Sequence, residues 1–198
     1  TPCEGGCPIR QDIPEYMELC NKGLYGPALK LITEKNPLPF ITGTICAHRC
    51  QTKCSRNFYD ESVRIRDTKL LAAQKGYNAL MASIKMPERV AGKRVAIIGG
   101  GPAGMSCAYF LAIEGYSPVV FEKEAVPGGM LVNGIPSFRI GKDVVKSEID
   151  VLREMGVEFK CGVEVGKDVT IEQLRAQGYK GFYVAIGAQK SAKLRVPG

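Results

Sequence analysis

The sequence predicts an α-helical N-terminal domain over residues 1–90, followed by an α/β domain over residues 91–198. Three observations support this division. Apolar residues recur at helical spacing before residue 90, and six of the eight cysteines lie within the first 54 residues. After Arg94, short apolar runs alternate with helical segments, which is typical of a parallel sheet covered by helices.

Three helices are predicted in the N-terminal domain. The first has Asp12 as its candidate N-cap, carries Pro14 in its first turn and ends at Gly23. Residues 36–39, with two prolines, end the second helix in an extended segment or a turn, and Pro87 ends the third. The apolar faces of the three helices are Ile13, Tyr16, Met17 and Cys20; Leu24, Ala28, Leu31 and Ile32; and Leu70, Ala73, Tyr77, Leu80, Met81 and Ile84.

The α/β domain begins with a short apolar strand and a glycine turn. Thr170 is the candidate N-cap of a short helix near the end of the chain. In chain order, the predicted elements are a strand at 95–98, a helix at 102–114, a strand at 119–121, a glycine- and proline-rich loop at 126–141, a helix around 145–152, a strand at 157–161, a helix at 170–174 and a buried strand at 182–186.

The glycine turn carries a dinucleotide-binding pattern. Gly99, Gly101 and Gly104 have the G-x-G-x-x-G spacing, which permits a tight turn, a close approach of a diphosphate and close packing of helix on strand. Free N–H groups at the start of the next helix favour the anion. Glu122 follows the second strand, where a carboxylate accepts hydrogen bonds from ribose hydroxyls; a surface glutamate is the alternative. The pattern predicts a Rossmann-like domain with one dinucleotide, either FAD or NAD.

The cysteine pattern predicts a metal centre. Cys3-x3-Cys7-Pro8 and Cys46-x3-Cys50-x3-Cys54 are more regular than packing cysteines, and thiolates at this spacing converge on iron–sulfur clusters or zinc. Iron–sulfur is favoured because zinc sites prefer C-x2-C pairs. Five ligands are too many for one four-ligand site and too few for two, which predicts further ligands upstream. The other cysteines, Cys20, Cys107 and Cys161, are expected to pack in the core, and His48 to face solvent or support a ligand.

The net charge of +7 is concentrated between Arg49 and Lys75. A nucleic-acid surface, a field for an anionic cluster and flavin, and a solvated basic face all fit this excess, but no nucleic-acid motif accompanies it. No apolar run approaches about 18 residues and no signal peptide is visible, so neither a membrane nor export is expected, and the predicted location is cytoplasmic. The chain starts at Thr1, inside a cysteine motif, and stops at Gly198. We therefore expect this chain to be a piece of a longer protein.

Together these features resemble the family of the glutamate synthase small chain, which includes the N-terminal part of dihydropyrimidine dehydrogenase and related NAD(P)H:ferredoxin-type oxidoreductases. The resemblance covers essentially the whole chain. The resemblance is based on the segments CPIRQDIPEYM, NPLPFITGTICAHRC, RVAIIGGGPAGMSCAYFLA, FEKEAVPGGMLVNGIPSFRI and YVAIGA.

The resemblance implies an N-terminal α-helical ferredoxin-like domain with two [4Fe–4S] clusters. It is followed by the first segment of an FAD-binding domain, incomplete here, that an NAD(P)H domain interrupts. One cluster would take Cys7, Cys46 and Cys50, and the other Cys3, Cys54 and two upstream cysteines. The fourth ligand of the first cluster is a Gln or Glu in relatives, at a position near Lys69, and neither Lys69 nor Leu70 replaces it.

The resemblance also implies which residues bind FAD. They are the turn residues Gly99, Gly101, Pro102, Ala103 and Gly104; then Glu122 and Lys123; Gly129, Met130 and Leu131 beside the isoalloxazine; Arg139; Val165 near the adenine; and Ala185, Ile186 and Gly187. A plain turn at Gly128-Gly129 and a surface role for Arg139 are the alternatives.

The implied activity is electron transfer. NAD(P)H would reduce FAD by hydride transfer, and single electrons would pass through the clusters to a partner protein or an appended catalytic domain. No side chain needs to act as a general acid or base, so no catalytic residue is predicted. This piece is expected to lack the nicotinamide site and to be inactive by itself. The alternatives are a dihydropyrimidine dehydrogenase-like or NAD(P)H:ferredoxin oxidoreductase electron-input module and, in another class, a non-catalytic zinc-binding docking module.

Overall fold

The computed structural model of the 198-residue chain describes residues 1–85, 88–90 and 92–189. Its first part is helical: α1 (Pro2–Gly6), α2 (Ile13–Asn21), α3 (Tyr25–Thr33), α4 (Pro39–Ile45), α5 (Arg49–Thr52), a 3₁₀ turn (Ser55–Phe58) and α6 (Ile65–Ser83). Strands and helices then alternate: β1 (Arg94–Ile98), α7 (Pro102–Ile113), β2 (Ser117–Glu122), α8 (Met130–Asn133), α9 (Lys142–Glu154), β3 (Glu158–Cys161), α10 (Ile171–Ala176) and β4 (Tyr179–Val184). None of the described helices is long and apolar enough to span a bilayer.

The three helices predicted in the first part are present as α2, α3 and α6. Asp12 is the N-cap residue of α2, yet its carboxylate makes no capping hydrogen bond and pairs instead with Lys35 Nζ at 2.7 Å. The predicted end of the third helix, Pro87, lies outside the described residues, and α6 ends at Ser83.

The prediction for residues 36–39 is wrong at its last residue, because Pro39 begins the helix α4. Proline is well suited to the first helical position, where its missing N–H has no intrahelical partner in any case. Leu38 has the non-helical conformation that a residue before proline prefers, with φ −127° and ψ 62°. Helices α1, α5 and α8 were also missed, because they are too short to show a periodic pattern.

The four described strands form one parallel sheet in the order β3-β2-β1-β4. The centre of β1 is fully buried at Ala96 and Ile97, as expected for a strand covered on both faces. Helix α10 begins with the predicted Thr170 cap, whose Oγ1 accepts a hydrogen bond from Gln173 N.

The last strand differs from its prediction. It begins at Tyr179 and ends at Val184, rather than covering 182–186, and its C-terminal half is not buried. Val184 is 64% exposed because β4 is the edge strand of the sheet in the described part of the chain. Apolar composition alone does not show whether a strand has neighbours on both sides.

The helical part packs directly on the α/β part. Leu38 and Ile41, at the start of α4, belong to the same apolar core as Ile97 of β1, Val120 of β2 and Leu152 of α9. Helix α4 contacts α9, and the C-terminal half of α6 borders this core. The domain boundary near residue 90 stays a prediction, because one continuous core joins the segments on its two sides.

Candidate functional site

The turn between β1 and α7 is built from glycines that serve two different purposes. Gly99 has φ +109°, and a Cβ there would lie 2.4 Å from the carbonyl oxygen of Ala185. A Cβ on Gly104 would lie 2.0 Å from the carbonyl oxygen of Gly99. At Gly101 the backbone is extended, and a Cβ would meet only the Cα of Gly129, at 3.9 Å. Gly99 and Gly104 are therefore required by the fold, whereas Gly101 leaves open space beside the backbone.

Glu122 holds this turn in place from the end of β2. Its side chain is 6% exposed, and Oε2 accepts a hydrogen bond from Gly100 N at 2.7 Å. Oε1 accepts a second one from Glu124 N at 2.9 Å. A carboxylate has about four acceptor sites, so these two bonds leave acceptor capacity for a ligand.

The loop that contains Gly128 and Gly129 lies against the same turn. Gly128 N donates a hydrogen bond to Gly100 O at 2.8 Å. Both glycines have positive φ, and a Cβ on Gly129 would lie 3.0 Å from the Cα of Gly101. The two backbones therefore approach more closely than side chains would allow.

A cavity of about 890 Å³ opens at the carboxyl ends of β1, β2 and β4, the edge of an open parallel sheet where ligands usually bind. Most of the predicted dinucleotide residues line it: Gly99, Gly101, Pro102, Ala103, Glu122, Lys123, Gly129, Met130, Val165, Ala185, Ile186 and Gly187. Gly104 and Leu131 are buried and do not line it, and Arg139 is an exposed residue outside the lining.

Sequence reasoning missed several lining residues that also lie near strand ends. Asn133, Val163 and Glu164 face the cavity, and Gln189 accepts a hydrogen bond from Lys123 Nζ at 2.5 Å. Val163 and Glu164 follow β3, Gln189 follows β4, and Asn133 follows the Gly128-Gly129 pair. Because the ends of parallel strands meet at one edge of the sheet, these positions could have indicated residues of the cavity.

Three of the predicted metal-binding cysteines lie on neighbouring elements of the helical part. Cys46 is the C-cap of α4, Cys50 is buried on α5, and Cys7 follows α1, which packs on α5. Burial raises the pKa of the Cys50 thiol, and Cys7 and Cys46 raise it further. Cys3 and Cys7 pack against a small apolar cluster that includes Tyr16, Ile32 and Cys50. Cys54 is the residue directly before the 3₁₀ turn.

The thiols in this part of the chain are not arranged as the ligands of a single metal ion. Within the described ranges, no three His, Cys, Asp or Glu side chains stand close enough to hold one metal ion. A [4Fe–4S] cluster binds each thiolate through a different iron, so its ligands surround a larger volume than those of a single ion. An all-thiol donor set suits such a cluster.

Two further nitrogen-bearing side chains, those of His48 and Lys69, are partly or fully buried in the helical part. His48, which has φ +41°, carries a buried Nδ1 with no hydrogen-bond partner among the described residues. Lys69 on α6 is 6% exposed. Desolvation lowers the pKa of its ammonium, and Cys46, Cys7 and Cys50 oppose that shift. Leu70, the other residue at the predicted fourth-ligand position, packs instead against Gly43.

Comparisons with known proteins match the two parts of the chain that contain these residues. Residues 1–79 match the family described as dihydropyrimidine dehydrogenase domain II, 4Fe–4S cluster. Residues 97–140 match the NAD(P)-binding Rossmann-like domain. In this chain a 4Fe–4S-type domain therefore precedes a Rossmann-like domain, and the resemblance to the glutamate synthase small-chain family is confirmed.

Three relatives show the range of this class. The chain is 41% identical, over all of its length and 19% of the relative, to YgfK of Escherichia coli (strain K12). It is 36% identical, over all of its length and 30% of the relative, to the NADPH-Fe(3+) oxidoreductase subunit beta of Geobacter sulfurreducens. It is 34% identical, over 98% of its length and 39% of the relative, to the glutamate synthase [NADPH] small chain of Bacillus subtilis (strain 168). The chain thus spans less than half of each relative.

Proposed function

We propose that this chain is the electron-carrying part of an NAD(P)H oxidoreductase, with FAD in the cavity beside Gly101 and [4Fe–4S] clusters on the cysteines. One observation carries the proposal: the helix that leads into the thiol group packs on the α/β part that holds the cavity. Helix α4, which ends at Cys46, packs on α9 of the Rossmann-like region. FAD, when bound, links the two-electron chemistry of NAD(P)H to the one-electron chemistry of iron–sulfur clusters.

The nucleotide side of the proposal rests on the turn and its carboxylate. The N-terminus of α7 faces the diphosphate, and Gly101 leaves room for it. Glu122 has acceptor capacity for the ribose hydroxyls. The glycine loop before Met130 and the strand end at Ala185 extend the cavity beyond the turn, which supports FAD, with its flat ring system, as the dinucleotide.

The remaining nucleotide contacts are proposed from the resemblance. They are Lys123 beside the ribose, Val165 near the adenine, Met130 and Leu131 at the isoalloxazine, Arg139 near phosphate or flavin charge, and Ile186 and Gly187 at the strand end. The structure supports these proposed contacts unequally. Leu131 is buried and Arg139 does not line the cavity, whereas the other residues do line it.

On the metal side, Cys7, Cys46 and Cys50 are proposed to hold one cluster, and Cys3 and Cys54 to contribute to a second. The acceptor is proposed to be a partner subunit or an appended domain, because two of the relatives are named as subunit or small chain. Those names also support NADPH as the donor. A cytoplasmic location remains a prediction.

Chemical analysis of the protein purified without oxygen tests the proposal. We expect iron, acid-labile sulfide and flavin in the preparation, with a flavin absorption spectrum superimposed on broad iron–sulfur absorption. A colourless protein that contains zinc and no flavin would instead establish the docking-module alternative.

Substitution of one cysteine separates the ligands from the packing cysteines. Cys50→Ser is expected to lower the iron content per chain, because serine replaces a thiolate ligand of the first cluster. Cys20→Ser is the matched control, since Cys20 is equally buried but lies on the apolar face of α2. Iron and sulfide are measured on both purified variants. Equal iron in Cys50→Ser and the wild type would remove Cys50 from the ligand set.

A further inference from the structure

Lys142 holds the C-terminal end of the short helix α8. Its Nζ donates hydrogen bonds to three carbonyl oxygens, those of Val132 at 2.7 Å, Ile135 at 3.1 Å and Leu131 at 3.2 Å. A lysine ammonium has three N–H donors, so these three carbonyl groups account for all of them. The last carbonyl groups of a helix have no intrahelical donor, and the ammonium supplies the partners that the end of α8 requires.

Helix α8 is a single turn that is tied at both ends. It has four residues, of which Leu131 alone is buried. At its N-terminal end the glycine loop is held to the β1–α7 turn, because Gly128 N donates to Gly100 O at 2.8 Å. At its C-terminal end the tie is Lys142, the first residue of α9. Helix α9 is anchored by buried side chains such as Leu152, so Lys142 joins a mostly unburied turn to a firmly packed helix.

The same turn forms part of the cavity wall. Met130 and Asn133 line the cavity, whereas Lys142 does not. Met130 is 63% exposed and Asn133 is also exposed, so burial holds neither side chain in place. The position of this part of the wall therefore depends on the ties at the ends of α8.

We infer that Lys142 is a positioning residue for the bound dinucleotide, because it holds α8 where Met130 and Asn133 form the wall that the flavin ring contacts. The inference rests on the proposed function, which places FAD in this cavity. The three hydrogen bonds come from a charged donor, and such bonds are stronger than those between neutral groups. Without them the C-terminal end of α8 is released, and the ring loses a fixed wall on this side of the cavity.

Lys142→Met removes the three donors and keeps an unbranched chain of similar length. In the flavin-free protein, amide hydrogen exchange in the segment 130–135 should become about tenfold faster, because the turn opens more often. FAD affinity, measured by titration, should fall about tenfold. The visible circular dichroism of the flavin that still binds should change, because this signal reports the surroundings of the ring. The melting temperature should stay near the wild-type value, since Lys142 is an exposed residue.

Lys146→Met is the matched control. Lys146 lies on the same helix, is exposed and pairs with Asp150 rather than with α8. Its exchange in the segment 130–135, its FAD affinity and its circular dichroism should all equal those of the wild type.

Two results would overturn the inference while the proposed function stands. Wild-type exchange in the segment 130–135 of Lys142→Met would show that the three hydrogen bonds do not hold α8. Faster exchange with unchanged FAD affinity and unchanged circular dichroism would show that Lys142 stabilises the turn without positioning the flavin. A wild-type protein that binds no flavin would instead overturn the proposed function and the inference with it, so the two failures are distinguishable.

Discussion

Gly101→Ala is expected to weaken dinucleotide binding while leaving the protein about as stable as the wild type. The backbone of Gly101 has φ −75° and ψ −176°, which alanine adopts without strain, and the new methyl group would meet only the Cα of Gly129 at 3.9 Å. The free energy of unfolding should therefore stay near the wild-type value, because the lower entropy of the unfolded alanine chain offsets the fact that alanine is a poorer N-cap than glycine. The methyl group occupies the space that a diphosphate needs beside the backbone, so affinity should fall at least about tenfold.

Gly104→Ala is the matched comparison. Its Cβ would lie 2.0 Å from the carbonyl oxygen of Gly99, so β1 and α7 must separate. We expect this variant to lose both the dinucleotide and about 3 kcal/mol of stability. Flavin content per chain and thermal unfolding distinguish the two effects. Wild-type flavin content in Gly101→Ala would show that the diphosphate does not pass this turn.

Glu122 is a less selective target for the same question. Its two carboxylate oxygens accept hydrogen bonds from Gly100 N and Glu124 N, so Glu122→Ala leaves two loop donors without partners. Loss of cofactor in that variant would report the collapse of the turn as readily as the loss of a ribose contact. The glycine pair avoids this ambiguity.

The parts of the fold that could be predicted from sequence depend on local chemistry. The strand before Gly99, the helix α7 after it and the cap at Thr170 each follow from a few adjacent residues, and all three are present. The exposure of β4 could not be predicted in this way, because it depends on which strands lie beside it.

The same distinction holds for the two sites. Spacing alone indicated a metal centre at the cysteines, and their assignment as ligands stays a prediction. The burial of Lys69 arises from the packing of α6 on three other helices, which no local pattern encodes. Likewise, the donor groups at the start of α4 find their acceptor on Glu148, 107 and 108 positions away in the sequence.

Glu148 joins the two parts of the molecule. It lies on α9, is 1% exposed, and its Oε1 accepts hydrogen bonds from Phe40 N at 2.6 Å and Ile41 N at 3.2 Å. These N–H groups belong to the first turn of α4, where no intrahelical acceptor exists. Because α4 ends at Cys46, this carboxyl group fixes the helix that leads into the cysteine group.

Stability should therefore depend on the protonation of Glu148. Burial raises the pKa of its carboxyl group to about 8, against the lowering effect of the two N–H groups. In the unfolded chain the pKa is about 4.3, so the folded state binds the additional proton between these values. The stabilisation is complete below the unfolded pKa, and it decreases by about 1.4 kcal/mol per pH unit as the pH rises toward 8.

Glu148→Gln and Glu148→Ala separate protonation from hydrogen bonding. Glutamine keeps an oxygen acceptor for Phe40 N and Ile41 N but does not titrate, so the wild type should lose stability relative to this variant between pH 5 and 8. Alanine leaves both donors buried without a partner, which should lower the free energy of unfolding by about 3 kcal/mol relative to the glutamine variant at every pH. Urea unfolding at several pH values measures both effects. A wild-type-to-glutamine difference that stays constant with pH would show that Glu148 remains ionised in the folded protein, and that the junction between α4 and α9 holds a charge rather than a proton.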